Sequence, residues 1–348
     1  MKDAPLLNLA LALVIAIALG WLLMVGQSIL LPIVTALIAV YVMISASDAL
    51  HALPMFRILP VALLRFLLLS VFAAAIIFLA VLAAATVREI ASVAPIYETN
   101  LDAFLEDVAV RFQLDRQFLW QELREVTIDA FDLRVVILGL LGGFTNVSAT
   151  VFLIVIYAAF LMNEREVFQQ KLAAAFSTPE QSDKVRRLIR EINMRISEYL
   201  LVKTLINIAL GGVSFVILWA HGIDFALFWA VVIGVLNYIP YVGSLLGVLF
   251  PVVLSFAQFV SLPLTLSLAA FLITVQVLLG NYVEPRFVGR QVNLSPLVVL
   301  MALSVWTALW GIPGAILAVP MTSVVAIILS SFESTRFLAV LLAERIED

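Results

Sequence analysis

The chain has 348 residues, of which 64% are hydrophobic and 13% are charged, and its mean hydropathy is +1.14. Soluble domains are about half apolar and about a quarter charged, so this composition indicates an integral membrane protein. The formal net charge of −4 argues against nucleic acid as a partner, and the lack of cysteine excludes disulfides and thiolate chemistry. His51 and His221 are the only histidines, so we expect no zinc or haem site.

The first 87 residues contain three apolar stretches, at 6–25, 29–45 and 61–87. Each is close to the ~20 apolar residues that a helix needs to cross the hydrocarbon layer. No clear cleavage site follows the first stretch, so we interpret it as a membrane span rather than a signal peptide. Residues 1–87 are therefore predicted to form spans one to three.

Two charged blocks flank the fourth predicted span, residues 135–162. Residues 88–134 hold 10 acidic and 5 basic side chains, and apolar residues spaced three and four apart predict amphipathic helices at 101–112 and 118–131. Residues 163–196 hold 7 basic and 5 acidic side chains, and Thr178-Pro179 has the pattern of a helix start. Because basic loops favour the cytoplasm, we expect 88–134 outside and 163–196 inside.

The predicted transport core is 197–332, and a cytoplasmic tail, 333–348, follows it. This core begins with a fifth span that ends near Ala220 and also contains an ordinary span at 264–283. Its other two apolar segments, 225–258 and 297–329, are each interrupted near the middle by Ile-Pro. The fold class is thus an all-α polytopic membrane protein with about eight membrane segments.

The two interrupted segments are too long for one crossing and too short for two. A straight helix over 297–329 would measure ~50 Å, and each half would measure ~24 Å. We interpret both segments as re-entrant hairpins with Pro/Gly tips, entering from opposite sides of the membrane. The alternative is a pair of proline-kinked spanning helices, which would place the basic stretch at 284–296 outside the cell.

Three motifs resemble one known family. They are NYVEPRFVGRQVNLSPLVVL at 281–300, LWGIPGAILAVPMT at 309–322 and VLNYIPYVGSLLG at 235–247. They are similar to the signature region of the autoinducer-2 exporter (AI-2E) family. The resemblance implies a multi-pass secondary transporter of the bacterial or archaeal plasma membrane, with oligomers in some members. It implies autoinducer-2, or sodium exchanged for protons, as the transported species.

Polar side chains in the C-terminal half are the candidates for a solute or ion pathway. These are Lys203, Asn207, Asn237, Tyr241, Ser244, Gln276, Asn281, Glu284, Arg286 and Arg290. Carboxylates at the membrane are the usual binding groups for protons or sodium ions, which favours Glu284. Asn281 lies three residues before Glu284, on the same helix face. Two structural alternatives stay open: Glu284 could pair with Arg286 or Arg290, and Lys203 could snorkel to the interface.

The predicted hairpin tips contain prolines and glycines that allow close backbone approach. They are Pro240, Gly243 and Gly247 in the first hairpin, and Gly311, Pro313 and Gly314 in the second. Trp306 and Trp310 are one turn apart and could serve either as interfacial anchors or as cavity walls.

The function predicted from the sequence is transport of a small polar solute or a monovalent cation, with the lipid bilayer as the surrounding partner and both termini in the cytoplasm. No nucleotide-binding loop is present, so we expect no cofactor beyond a coupling proton or sodium ion. A scaffold or receptor that acts through its extramembrane helices is the competing hypothesis, but it leaves the paired interruptions unexplained. The sequence contains neither an HExxH nor a GxSxG motif, so neither of these motifs indicates an enzyme.

Overall fold

The computed structural model describes residues 5–112, 147–174, 178–288 and 293–345, and the regular structure in these ranges is helical throughout. The helices are α1 (Pro5–Val25), α2 (Gln27–Ala52), α3 (Val61–Phe112), α4 (Val147–Ala174), α5 (Pro179–Ala220), α6 (Ala226–Leu236), α7 (Val242–Phe259), α8 (Leu262–Val277), α9 (Glu284–Val288), α10 (Pro296–Ser330) and α11 (Arg336–Leu342). A π-helical segment, Leu278–Val283, joins α8 to α9. The helix predicted at 118–131 and the first part of the fourth span lie outside the described residues.

Six helical stretches of the described chain are long and apolar enough to cross a membrane. They are Gln27–Ala52, Val61–Ile90, Glu180–Ala220, Val242–Phe259, Leu262–Phe287 and Pro296–Ser330. Shorter apolar helices lie in α1, α4 and α6. Large apolar side chains stay exposed on the outer helices, with Trp21 and Phe66 each 64% exposed, as expected of lipid-facing positions. The predicted fold class, an all-α polytopic membrane protein, is confirmed.

Helices α3 and α5 are longer than a bilayer is thick. With 52 and 42 residues, they measure about 78 and 63 Å, against ~30 Å of hydrocarbon. The predicted amphipathic helix at 101–112 is therefore a continuation of the third span rather than a separate element. Charged residues from Arg88 onward mark the end of the apolar part of the helix, not the end of the helix itself. The predicted helix start at Thr178-Pro179 is confirmed, because Thr178 Oγ1 accepts from the Gln181 amide at 3.4 Å.

The chain divides into two compact units. The first comprises residues 1–69, 153–201 and 288–348, and the second comprises 70–152 and 202–287. In the first unit, Ile196, Tyr199 and Leu200 of α5 pack with Val319 of α10. In the second unit, the buried core joins α5, α6, α7 and α8 through residues such as Leu218, Ile233, Leu254 and Leu268. The first interrupted segment thus belongs to the second unit, and the second interrupted segment belongs to the first unit.

The first interrupted segment, 225–258, is a helical hairpin made by α6 and α7. The chain reverses between Asn237 and Tyr241, and Tyr241 takes a left-handed backbone conformation with φ 61°. A Cβ placed on Gly247 of α7 would lie 3.5 Å from the Cα of Ile233 on α6. In a continuous helix, residues 14 positions apart would be separated by ~21 Å.

The second interrupted segment, within α10, also folds back on itself. Its helical geometry fails at Gly311, where φ is 63° and ψ is −144°. Sixteen positions separate Trp306 from Thr322, yet the indole Nε1 of Trp306 donates to Thr322 Oγ1 at 3.0 Å. A kinked but continuous helix would place these residues ~24 Å apart. Both segments are therefore helical hairpins, and the alternative of kinked spanning helices is wrong.

The first hairpin makes a testable pair of neighbours in a chain that has no cysteine. The Cβ that Gly247 would carry lies 3.8 Å from the Cβ of Ile233, close to the ~3.8 Å mean of natural disulfides. We expect the double variant Ile233→Cys/Gly247→Cys to oxidise almost completely. Maleimide labelling of the denatured protein would measure the remaining thiols, with each single-cysteine variant as control. Full labelling of the double variant after oxidation would contradict the hairpin.

Candidate functional site

Helix α5 presents two buried polar side chains, Lys203 and Asn207, on one face. They are four residues apart, so they lie one helical turn apart, and they are 5% and 4% exposed. A lysine at this depth loses most of its hydration, and its charge is costly unless a partner compensates for it. The surrounding contacts therefore decide what this face of α5 can do.

Lys203 finds that partner in Glu284, at the start of α9. The Nζ of Lys203 lies 2.6 Å from Oε1 of Glu284, and the two side chains are 6% and 23% exposed. The sequence left two alternatives open, a pair between Glu284 and Arg286 or Arg290, and a snorkelling role for the candidate pathway residue Lys203. Instead, Arg286 is exposed and lies over the ring of Tyr282 at 4.9 Å, and Arg290 lies outside the described residues.

Three side-chain amides form a hydrogen-bonded chain beside this ion pair. The Nε2 of Gln276 donates to Oδ1 of Asn237 at 2.7 Å, and Nδ2 of Asn237 donates to Oδ1 of Asn207 at 2.7 Å. Asn237 is 7% exposed and forms the end of α6 at the hairpin turn. These hydrogen bonds between amide side chains thus join α5, the first hairpin and α8.

The amide chain ends at a donor of Asn207. The Nδ2 atom of Asn207 is buried and makes no well-formed hydrogen bond with the described residues, although its side chain also interacts with the nearby hydroxyl of Tyr238. Buried amide groups in proteins are nearly always paired, so an orphan of this kind calls for an explanation, such as a water molecule or a ligand. Nearby, Thr204 and Tyr238 share a hydroxyl–hydroxyl hydrogen bond of 2.7 Å, which adds two further polar groups next to the chain.

The π-helical segment determines which side chains of this region face α5 and the hairpin. In a regular α-helix, the eight positions from Gln276 to Glu284 would rotate Glu284 about 80° away from Gln276. The wider turns of Leu278–Val283 rotate less per residue and reduce that offset. Gln276 can therefore meet Asn237 while Glu284 meets Lys203. We call Lys203, Asn207, Asn237, Gln276 and Glu284 the polar cluster.

The other predicted pathway residues are placed elsewhere. Tyr241 is 56% exposed, and its carbonyl accepts from the hydroxyl of Ser244 at 2.8 Å, so both serve the hairpin turn. Asn281 is exposed within the π-helical segment and does not join Glu284 in the cluster. The sequence places Tyr238 among the polar side chains of the first hairpin tip, but it gives no pattern that separates its partner Thr204 from ordinary helix residues.

The predicted tip residues have two kinds of environment. Gly311 and Pro313 are exposed, and Pro240 is half-buried. Gly243, Gly247 and Gly314 are buried where the two arms of each hairpin meet. The sequence left open whether Trp306 and Trp310 are interfacial anchors or cavity walls. Trp310 is 1% exposed, and its Nε1 donates to the carbonyl of Leu23 in α1 at 3.0 Å. It is a packing contact of the first unit.

The polar cluster offers chemistry suited to a proton, a monovalent cation or a polar solute. Glu284 can exchange its lysine partner for a proton or a cation, while the amides supply donors and acceptors to hydroxyl or carbonyl groups. No group of three or more His, Cys, Asp or Glu side chains in the described ranges could hold a metal ion. The arrangement suits reversible binding of small polar species.

We expect Asn237→Leu to destabilise the protein by about 1–3 kcal/mol, because it removes one buried acceptor and one buried donor and leaves their partners unpaired. Ser244→Ala is the matched control in the same hairpin, since its hydroxyl bonds only a turn carbonyl, and it should cost less than ~1 kcal/mol. Thermal unfolding followed by circular dichroism would compare the two variants. Equal losses would remove the special role of the amide chain.

These observations define the class of protein, a multi-pass helical membrane protein with a polar cluster held among apolar helices. A family model for AI-2E family transporters matches residues 11–334, nearly the whole chain. The chain therefore belongs to the AI-2E transporter family, and the resemblance predicted from its C-terminal motifs is confirmed.

Similar proteins agree with this assignment. A candidate transport protein of Borreliella burgdorferi is 34% identical over 68% of this chain and 64% of its own length. A candidate transport protein of Haemophilus influenzae is 28% identical over 91% of each chain. The AI-2 transport protein TqsA of Escherichia coli K12 is 28% identical over 90% of this chain and 89% of its own. The match to the Borreliella protein thus covers slightly less than two thirds of that relative.

Proposed function

We propose that this protein is a secondary transporter of a small polar solute or a monovalent cation and that the polar cluster is its binding site. The observation that carries the proposal is the buried Nδ2 donor of Asn207, which lacks a well-formed hydrogen bond, next to the part-buried Lys203–Glu284 ion pair. An orphan donor and a charge pair are both costly inside a membrane protein, and polar residues kept at such a cost usually serve transport. Membership in the AI-2E family supports the same conclusion.

The geometry suggests how a solute would bind. An oxygen acceptor on the solute can take the free donor of Asn207, and further hydroxyl groups can bond Thr204, Tyr238 or the amide chain. Because Asn237 ends α6, a solute that competes for its amide also acts on the turn of the first hairpin. This coupling favours a polyhydroxylated solute, and TqsA, a relative named as an AI-2 transport protein, makes autoinducer-2 the first candidate to test.

The ion pair favours cation/proton exchange as the second candidate. A proton or sodium ion that binds the Glu284 carboxylate must displace the ammonium group of Lys203. The carboxylate therefore binds either the external cation or the lysine, but not both. The same competition would let an ion gradient drive solute movement. Proton or sodium is therefore the proposed coupling ion.

Flux in proteoliposomes separates the two candidates. One set of liposomes would contain purified protein and an internal pH dye, and sodium would be added outside. A second set would be given labelled autoinducer-2. Both assays would be run under an imposed pH gradient. Sodium-dependent proton release would indicate exchange, and gradient-dependent autoinducer-2 uptake would indicate solute transport. Absence of both fluxes, in liposomes whose protein is folded, would contradict both candidates.

We propose a bacterial or archaeal plasma-membrane location with both termini in the cytoplasm, because the more basic segments then lie inside. In this topology, the turn between α7 and α8 faces outward and the segment after α10 faces inward. With a membrane-impermeant maleimide, Ser261→Cys should label in intact cells and Glu333→Cys only after lysis. The reverse pattern would overturn this topology.

We also propose that the protein self-associates, and light scattering in detergent would test this.

A further inference from the structure

A cavity with a polar lining lies in the same unit as the polar cluster and shares no residue with it. Its volume is about 300 Å³, near the lower limit for small-molecule sites, and its polar lining consists of Thr86, Glu89 and Asp224. The remaining lining is apolar and includes the rings of Phe225 and Phe228. We call this space the acidic cavity.

Two hydrogen bonds fix Asp224 in place. The hydroxyl of Tyr97 donates to its Oδ2 at 2.7 Å, and its backbone amide donates to Oε1 of Gln258 at 3.0 Å. Gln258 is itself anchored, because its Nε2 donates to the carbonyl of Gly222 at 3.0 Å. Burial, together with the carboxylate of Asp224, raises the pKa of Tyr97, so the phenol stays a neutral donor. The carboxylate thus keeps one orientation in the cavity wall.

The two carboxylates of the acidic cavity form no ion pair with the described residues, and Asp224 is half-buried whereas Glu89 is exposed. Within the described ranges, neither Glu89 nor Asp224 has a lysine, arginine or histidine within 4.0 Å. Thr86 is only 4% exposed, and its hydroxyl makes no hydrogen bond with the described residues, although helical Thr99 and Thr274 bond the carbonyl four residues earlier. Thr86 lines the cavity and its hydroxyl has no partner among the described residues, so the hydroxyl is available to a polar group bound there.

We propose that the acidic cavity binds a small organic ammonium ion. Two carboxylates attract the ammonium group, and the Thr86 hydroxyl accepts one of its N–H donors. The phenylalanine rings face an apolar substituent or the cation itself, since aromatic faces attract ammonium ions. Two carboxylates and one hydroxyl supply too few oxygens for calcium, which takes six to eight. This inference does not depend on the function proposed for the polar cluster.

Binding of benzylammonium to the full-length protein in nanodiscs tests the inference. Equilibrium dialysis with labelled benzylammonium would measure saturable binding, and benzyl alcohol, its neutral counterpart, would serve as a competitor. Glu89→Gln and Asp224→Asn should each weaken binding at least tenfold, and Thr86→Val about threefold. Asparagine at 224 keeps an oxygen acceptor for Tyr97, so the wall should stay intact. Asp107→Asn, which removes an exposed carboxylate of the same unit, is the matched control.

Saturable benzylammonium binding that resists benzyl alcohol and falls in both carboxylate variants, but not in Asp107→Asn, would support the proposal. Three results would overturn it: no saturable binding to the wild type, equal competition by benzyl alcohol, or unchanged binding in the carboxylate variants. Sodium binding at this place without benzylammonium binding would also overturn it. Circular dichroism of each variant would confirm that it is folded, and the rescue variant Asp224→Glu should recover part of the affinity.

Discussion

Glu284→Gln is expected to destabilise the protein by about 3–5 kcal/mol, because it leaves the ammonium group of Lys203 buried without a counter-charge. Lys203 is 5% exposed, so water cannot easily replace the lost carboxylate. Thermal unfolding in nanodiscs, followed by circular dichroism at neutral pH, would measure the loss. The matched control is Asp107→Asn, which breaks the exposed Asp107–Arg111 pair and should cost less than ~1 kcal/mol.

The reverse change, Lys203→Met, should cost less than Glu284→Gln. The side chain of Glu284 is 23% exposed, so its carboxylate can recruit water or take up a proton when the lysine is gone. The double variant Lys203→Met/Glu284→Gln removes both charges and should be more stable than Glu284→Gln alone, giving a coupling energy of at least ~2 kcal/mol in the double-mutant cycle. Additive losses from the two single changes would contradict a direct interaction between these side chains.

Among the glycines that the structure describes, Gly243 and Gly314 are expected to tolerate alanine least. A Cβ at Gly243 would clash with the carbonyl oxygen of Leu236, and one at Gly314 would clash with that of Trp306. Both contacts are to backbone, which cannot rotate away as a side chain can. The two arms of each hairpin must then separate, and we expect a loss of at least ~3 kcal/mol or failure to fold.

Two other glycines provide matched controls for these changes. Gly20 and Gly212 also lie in helices, and a Cβ at either would meet no atom within 4 Å. Alanine at these positions should be neutral or stabilise the helix by up to about 1 kcal/mol, because alanine has the higher helix propensity. The midpoint of thermal unfolding and the yield of monodisperse protein would compare all four variants. A Gly243→Ala or Gly314→Ala protein as stable as these controls would contradict the close approach in the hairpins.

The architecture could be predicted largely from hydropathy and from proline and glycine positions. Apolar length locates the spans, and the interruptions at Ile239-Pro240 and Ile312-Pro313 indicate two hairpins because half-helices of ~24 Å cannot cross alone. The extent of α3 could not be predicted in the same way. Its charged residues after Arg88 end the apolar signal, whereas the backbone hydrogen bonds continue to Phe112.

The candidate site was predicted as a set of residues but not as a set of contacts. Lys203, Asn207, Asn237, Gln276 and Glu284 were all singled out, yet the partner of Glu284 lies 81 positions away on another helix. Such pairing depends on tertiary packing and leaves no local pattern. The π-helical segment is a second reason, because a spacing argument that assumes 3.6 residues per turn places Asn281, rather than Gln276, beside Glu284.

The most direct test of the central claim is flux through a folded protein whose polar cluster has lost its charges. Proteoliposomes with equal amounts of wild type, Lys203→Met/Glu284→Gln and Asp107→Asn would be assayed for the sodium, proton or autoinducer-2 flux found for the wild type. We predict at least a hundredfold loss in the double variant and near-wild-type flux in Asp107→Asn. Wild-type flux in a folded double variant would show that transport does not use this ion pair.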